Sequence, residues 1–139
     1  MATFGSILMG SPQEMTHTLE ILILDDEPNV ADMMSELLAL HFPEAEIRVA
    51  YSGEAAVKLA KERRPNAAIF DLEMAGLGGA GAAHELRLVW PEMPPALIAL
   101  SGNVSRLDVL KREGPFNYLL SKPVDMATLV PLLRAQVEG

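Results

Sequence analysis

Short apolar runs that end in polar or charged residues constrain this chain more than any other feature. ILIL (21–24) runs into Asp25 and Asp26, AAIF (67–70) into Asp71, and ALIAL (96–100) into Ser101. A further run, Phe116–Leu120, is followed closely by Lys122. Apolar residues in unbroken succession, without alternation, are what parallel strands covered on both faces require.

The intervening segments read as helices. Pro28 suits a first helical turn, and Val30, Met33, Met34, Leu37 and Leu38 recur at helical spacing up to Phe42. Ala45–Ala50 reads as another strand. Ser52 can cap a helix reaching Arg64, with Ala56, Leu59 and Ala60 inward and Pro65 ending it. Helices are also predicted over Ala80–Trp90, over Asn103–Glu113, and from the capping Asp125 to Val137. Strands alternating with helices predict an α/β fold. Right-handed crossovers then favour a five-stranded, parallel, doubly wound sheet of the flavodoxin-like kind, order 2-1-3-4-5, with five helices.

The 139 residues fit one domain, placed at 19–138. Residues 1–18 have no clean period and read as a leader or tag-like extension, with a short helix over Phe4–Met9 as its one candidate element. A net charge of −8, with Arg48 the first basic residue, argues against direct nucleic-acid contact. The absence of cysteine excludes disulfides and thiolate chemistry. No apolar run approaches a membrane span and no basic leader is present, so the expectation is a cytoplasmic protein with no membrane partner.

Ligands of open α/β sheets bind at the carboxyl ends of the strands, so four strands deliver three carboxylates, a hydroxyl and an amine to one edge. Two like charges ~4 Å apart repel by roughly 4 kcal/mol at an effective dielectric near 20. Three carboxylates must therefore take up protons or bind a cation, and all-oxygen ligands suit Mg²⁺. Asp25-Asp26 alone could be a solvated turn, Asp71 a strand terminator, Ser101 a loop serine and Lys122 a surface lysine. Their convergence carries the argument: a carboxylate beside a divalent ion can attack a phosphoryl group, with Lys122 and Ser101 serving its oxygens.

ILILDDEPN (21–29), AAIFDLEM (67–74), ALIALSG (96–102) and YLLSKPVD (118–125) resemble the signature segments of response-regulator receiver domains. They occur in the family's order, and the chain is similar to the single-domain type over roughly 19–138. The resemblance implies a two-component signalling module that is no enzyme beyond its own phosphotransfer and autodephosphorylation. It implies Asp71 as phosphoacceptor for a histidine kinase or phosphotransfer protein. Mg²⁺ would be held by Asp26, by Asp25 partly through water, by Asp71 and by the backbone carbonyl of Glu73. Lys122 would bind the phosphoryl group ahead of a cis Lys122-Pro123 bond. Ser101 and Tyr118 would be the switch residues, Glu73 and Asn103 would tune the lifetime, and the fourth helix, fifth strand and fifth helix would face a downstream protein.

The sequence departs from the family pattern in three places. MAGLGG (74–79) lacks the proline and aspartate expected after the acceptor. One extra residue lies before Lys122, so counting forward from Gly114 puts Tyr118 at the switch position and counting back from Lys122 puts Leu119 there. Pro131 falls inside the last helix, predicting a kink or a late start. Two rivals stand beside this reading. One is a receiver-like interaction module that works without phosphorylation. The other is a dinucleotide-binding module, on the G-x-G-x-x-G spacing of 76–81, weakened by the acid ending the preceding strand.

Overall fold

The computed structural model describes residues 18–74, 78–103, 105, 108 and 114–138. Along the chain run β1 (Glu20–Leu24), α1 (Pro28–His41), β2 (Glu46–Ala50), α2 (Gly53–Glu62), β3 (Ala67–Asp71), α3 (Gly78–Val89), β4 (Ala96–Ser101), β5 (Tyr118–Ser121) and α4 (Met126–Glu138). The strands pair in parallel in the order β2-β1-β3-β4-β5. The expected helix over 103–113 lies mostly outside the described residues, with Ser105 and Asp108 helical. The expected helix over Phe4–Met9 lies outside them altogether.

Burial follows position in the sheet. All five residues of β3 are buried, as are four of β1 and five of β4, whereas edge strand β2 has only Ala50 buried and β5 none. Strand alternation sorts the side chains into two cores. Ile21, Ile23, Ile69, Ile98 and Leu100 pack with Ala31 and Leu38 of α1 and Leu129 and Leu133 of α4. On the other face, Leu22, Leu24, Ala68, Phe70 and Leu97 pack with Ala56 and Ala60 of α2 and Ala82, Ala83 and Leu86 of α3. Phe70 meets Phe116 edge to face, with ring centroids 5.7 Å apart.

The capping expectations hold in detail. The Ser52 hydroxyl accepts from Ala55 N at 3.1 Å, opening α2. Asp125 opens α4, accepting from Ala127 N through Oδ1 and from Leu129 N through its carbonyl. Arg48 on β2 donates to the carbonyls of Leu59, which also accepts from Arg63 N, and of Arg63, tying β2 to the end of α2. At the amino ends of the strands, Asn66 and Asn117 accept through their side chains from Glu20 N and Leu97 N, each at 2.7 Å.

Several expectations are revised. α3 begins at Gly78, two residues before the predicted start, with no acid in its first turn. β5 begins at Tyr118 rather than Phe116, since Asn117 turns its side chain to Leu97. α4 passes through Pro131 without a late start: the ring is exposed and lacks only the donor to one carbonyl. The apolar residues of α1 do not share one face. Leu38 is fully buried, while Val30, Met33, Leu37 and Leu40 are exposed. No helix among the described residues is long and apolar enough to cross a membrane.

Candidate functional site

The sheet ladder itself positions the site, because it continues past the ends of the strands. Asp25 N donates to Ala50 O, Leu72 N to Leu100 O, and Lys122 N to Ser101 O, at 3.0–3.1 Å. The backbone around all four key positions is thereby held by neighbouring strands. Asp25 Oδ1 then accepts from Glu27 N at 2.9 Å, closing the turn that leads into α1. Asp71 Oδ1 accepts from Glu73 N at 3.0 Å in a similar turn after β3.

Asp25, Asp26 and Asp71 each offer a carboxylate oxygen within 4.8 Å of the others. Asp25 and Asp71 are buried and Asp26 is exposed. Burial pushes the Asp25 carboxyl above the usual range, with the charges of Asp71 and Asp26 adding to it; the Glu27 N–H and Lys122 oppose the shift. Three oxygen donors this close form a hard, anionic set that fits a small divalent cation completing its shell with water.

Lys122 Nζ lies 2.7 Å from Asp71 Oδ1 and 3.5 Å from Glu73 Oε1. Partial burial opposes the ammonium charge, but Asp71 and Glu73 outweigh it and raise the Lys122 pKa. Ser101, fully buried, donates its hydroxyl to Glu73 Oε2 and accepts from Asn103 N at 3.0 Å. Gly102 N donates to Glu73 Oε1 at 3.0 Å. Burial acts to raise the Glu73 pKa, yet these hydrogen bonds and Lys122 hold it below its ordinary value.

The structure thus brings together Asp25, Asp26, Asp71, Glu73, Ser101 and Lys122, with the Asn103 backbone at the rim. Tyr118 is not among them. In parallel pairing Ile98 lies beside Tyr118 and Ala99 beside Leu119. Tyr118 and Leu120 pack on the α1/α4 core. Ser101 has the parity of Leu97 and Ala99 and therefore faces the other side, as does Leu119. The extra residue before Lys122 has moved the aromatic ring to the face opposite the Ser101 hydroxyl.

The Lys122-Pro123 bond is cis, as the sequence led one to expect. What sequence reasoning missed is the side chain of Glu73 and the amide of Gly102. Glu73 had been assigned to the site through its backbone carbonyl and as a residue tuning the lifetime, and nothing in local sequence says that its carboxylate folds back over Ser101. The glycine-rich run at 76–81 starts outside the described residues and continues into α3, while the strand before it ends in Asp71, within the acidic cluster. A groove of about 180 Å³ at the amino ends of β4 and β5, lined by Arg87, Pro95, Asn117, Tyr118 and Gln136 among others, lies at the opposite end of the sheet.

Comparison with known proteins agrees with this geometry. The model of the response regulator receiver domain matches residues 21–134. The protein PilH of Pseudomonas aeruginosa is 30% identical over 121 residues, covering 86% of this chain and 98% of PilH. The probable transcriptional regulatory protein TcrX of Mycobacterium tuberculosis is also 30% identical, but the match covers 83% of this chain and only 48% of TcrX. For the regulatory protein AtoC of Escherichia coli the covered share is 24%, so the chain spans half or less of the length of such relatives. Among solved structures, the signal receiver domain of a DNA-binding response regulator from Colwellia psychrerythraea superposes with a TM-score of 0.76 at 26% identity, covering 87% of this chain and 99% of that one. A CheY-like receiver domain from Methylobacillus flagellatus gives 0.74 at 26% identity, covering 86% and 98%. With the fold, the acidic cluster and these relatives in agreement, the chain belongs to the response regulator receiver domain family of two-component signalling systems.

Proposed function

We propose that Asp71 accepts a phosphoryl group from the phosphohistidine of a histidine kinase or phosphotransfer protein. The observation that carries this reading is the contact of the Lys122 ammonium with a buried Asp71 carboxylate inside a cluster of three acids. In the transfer, a carboxylate oxygen of Asp71 forms the new P–O bond as the P–N bond of the donor breaks. The electron pair of that bond stays on the leaving imidazole. Lys122 offsets charge on the transferred group, and Ser101 and the Gly102 N–H would donate to its oxygens.

Mg²⁺ suits the Asp25, Asp26 and Asp71 oxygens, with the Glu73 carbonyl as a further ligand; bound there, it would supply charge neutralisation for the incoming phosphoryl oxygens. Asn103 and Glu73 would tune the lifetime of the product. Leu119 shares the face of Ser101 and is the better candidate for the side chain that follows its movement, in place of Tyr118. The altered surface would be read by a downstream protein at β5, α4 and the segment between β4 and β5.

Incubation with acetyl phosphate and Mg²⁺ tests the reading by intact mass. The expected result is a gain of one phosphoryl group that is acid-stable, base-labile and absent in Asp71→Asn. No gain under conditions that modify a control receiver would favour an interaction module that works without phosphorylation.

A further inference from the structure

The three donors best placed to hold a phosphoryl group on Asp71 already hold an anion of the chain itself. Ser101 donates its hydroxyl to one oxygen of Glu73; Gly102 N donates to the other at 3.0 Å, and Lys122 Nζ lies 3.5 Å from that same oxygen. An exposed glutamate–lysine pair alone would be a surface ion pair of small worth. Here the carboxylate also takes the hydroxyl of a fully buried serine and a backbone amide. Those two contacts need a particular side-chain length and direction, which a solvated acid would not keep.

We propose that the Glu73 carboxylate is a built-in occupant of the phosphoryl-binding donors, which an incoming phosphoryl group must displace. The inference rests on Asp71 being the phosphoacceptor. Two consequences follow. The displacement weakens the site's hold on any phosphoryl-like anion, because Ser101, Gly102 and Lys122 must first give up a charge-assisted partner. The Ser101 hydroxyl is also drawn toward the site before any phosphoryl group arrives, so part of the switch movement is already made in the free protein.

Three variants separate occupancy from simple charge. Glu73→Ala removes the carboxylate. Glu73→Gln keeps an acceptor of the same reach without charge. Glu73→Asp keeps the charge but is one methylene too short to serve Ser101 and Gly102. Binding of beryllofluoride with Mg²⁺, a phosphoryl mimic, is followed by ¹⁹F NMR, and the Gly102 amide resonance is followed in the free proteins. In Glu73→Ala and Glu73→Asp the Gly102 amide proton should move upfield, and beryllofluoride should bind about tenfold more tightly than in the wild type, with Glu73→Gln between.

An unchanged Gly102 amide in Glu73→Ala overturns the proposal without reference to phosphorylation. So does beryllofluoride affinity in Glu73→Asp equal to the wild type while Glu73→Ala binds tightly, since that is a field effect. Equal affinity in all four proteins overturns the competition and leaves the phosphoacceptor reading standing. No binding by any of them fails that reading and the competition with it.

Discussion

Lys122 is the one cation paired with the acidic cluster among the described residues, so removing it isolates what the carboxylates do to one another. Lys122→Ala leaves Asp71 buried without its ammonium partner, and a loss of about 1–3 kcal/mol is expected in metal-free urea unfolding. Saturating Mg²⁺ should recover more stability in this variant than in the wild type, because the ion replaces the missing positive charge. Asp26 tests the same balance from the other side. Its carboxylate is exposed and adds to the unfavourable field at Asp25. Asp26→Asn should raise the metal-free melting temperature by a few degrees, equivalent to about 1 kcal/mol, and abolish the Mg²⁺-dependent rise expected of the wild type. A Mg²⁺-dependent rise of undiminished size in that variant would remove Asp26 from the ligand set. Calorimetric scans with and without the ion read both outcomes.

Among the elements, α1 shows most plainly how a helical period can mislead. Val30, Met33, Leu37 and Leu38 all lie at helical spacing, yet the sheet takes Ala31 and Leu38 and leaves the other three in solvent with Leu40. A helix beside a β-sheet buries the stripe that the strand direction selects, and the sequence of α1 alone carries two such stripes. Leu38→Ala should therefore cost about 2–5 kcal/mol by opening a cavity, whereas Leu40→Gln should change stability by less than about 0.5 kcal/mol. Equal losses in chemical denaturation would contradict this division. In α4 the exposed Pro131 is accommodated at the expense of one backbone donor. Pro131→Ala restores that donor in a helix-favouring residue, and a gain of about 1–3 kcal/mol is expected from the same measurement.

For the molecule as a whole, the net charge of −8 makes general screening and specific cation binding separable. Monovalent salt should raise metal-free stability modestly up to ~0.15 M, where screening extends over about 8 Å, and Mg²⁺ at matched ionic strength should add a further rise that Asp26→Asn lacks. Identical thermal curves for the two salts would mean that the cluster binds no ion. The layered fold and strand order were legible in the amino-acid order, because parallel strands buried on both faces must be continuous apolar runs and right-handed crossovers leave little choice of topology. The site's place was legible for the same reason, since Asp25, Asp26, Asp71, Ser101 and Lys122 follow the ends of those runs. Side-chain direction was not. Whether Tyr118 or Leu119 shares a face with Ser101 depends on one residue of register, and register is set by pairing with Ile98 and Ala99, far away in the chain. That Glu73 turns its carboxylate onto Ser101, Gly102 and Lys122 depends on donors 28, 29 and 49 residues further along. Local order specifies which groups reach the edge of the sheet; the packing of distant strands specifies which of them meet, because hydrogen bonds and ion pairs act over a few ångströms of space and take no account of separation along the chain.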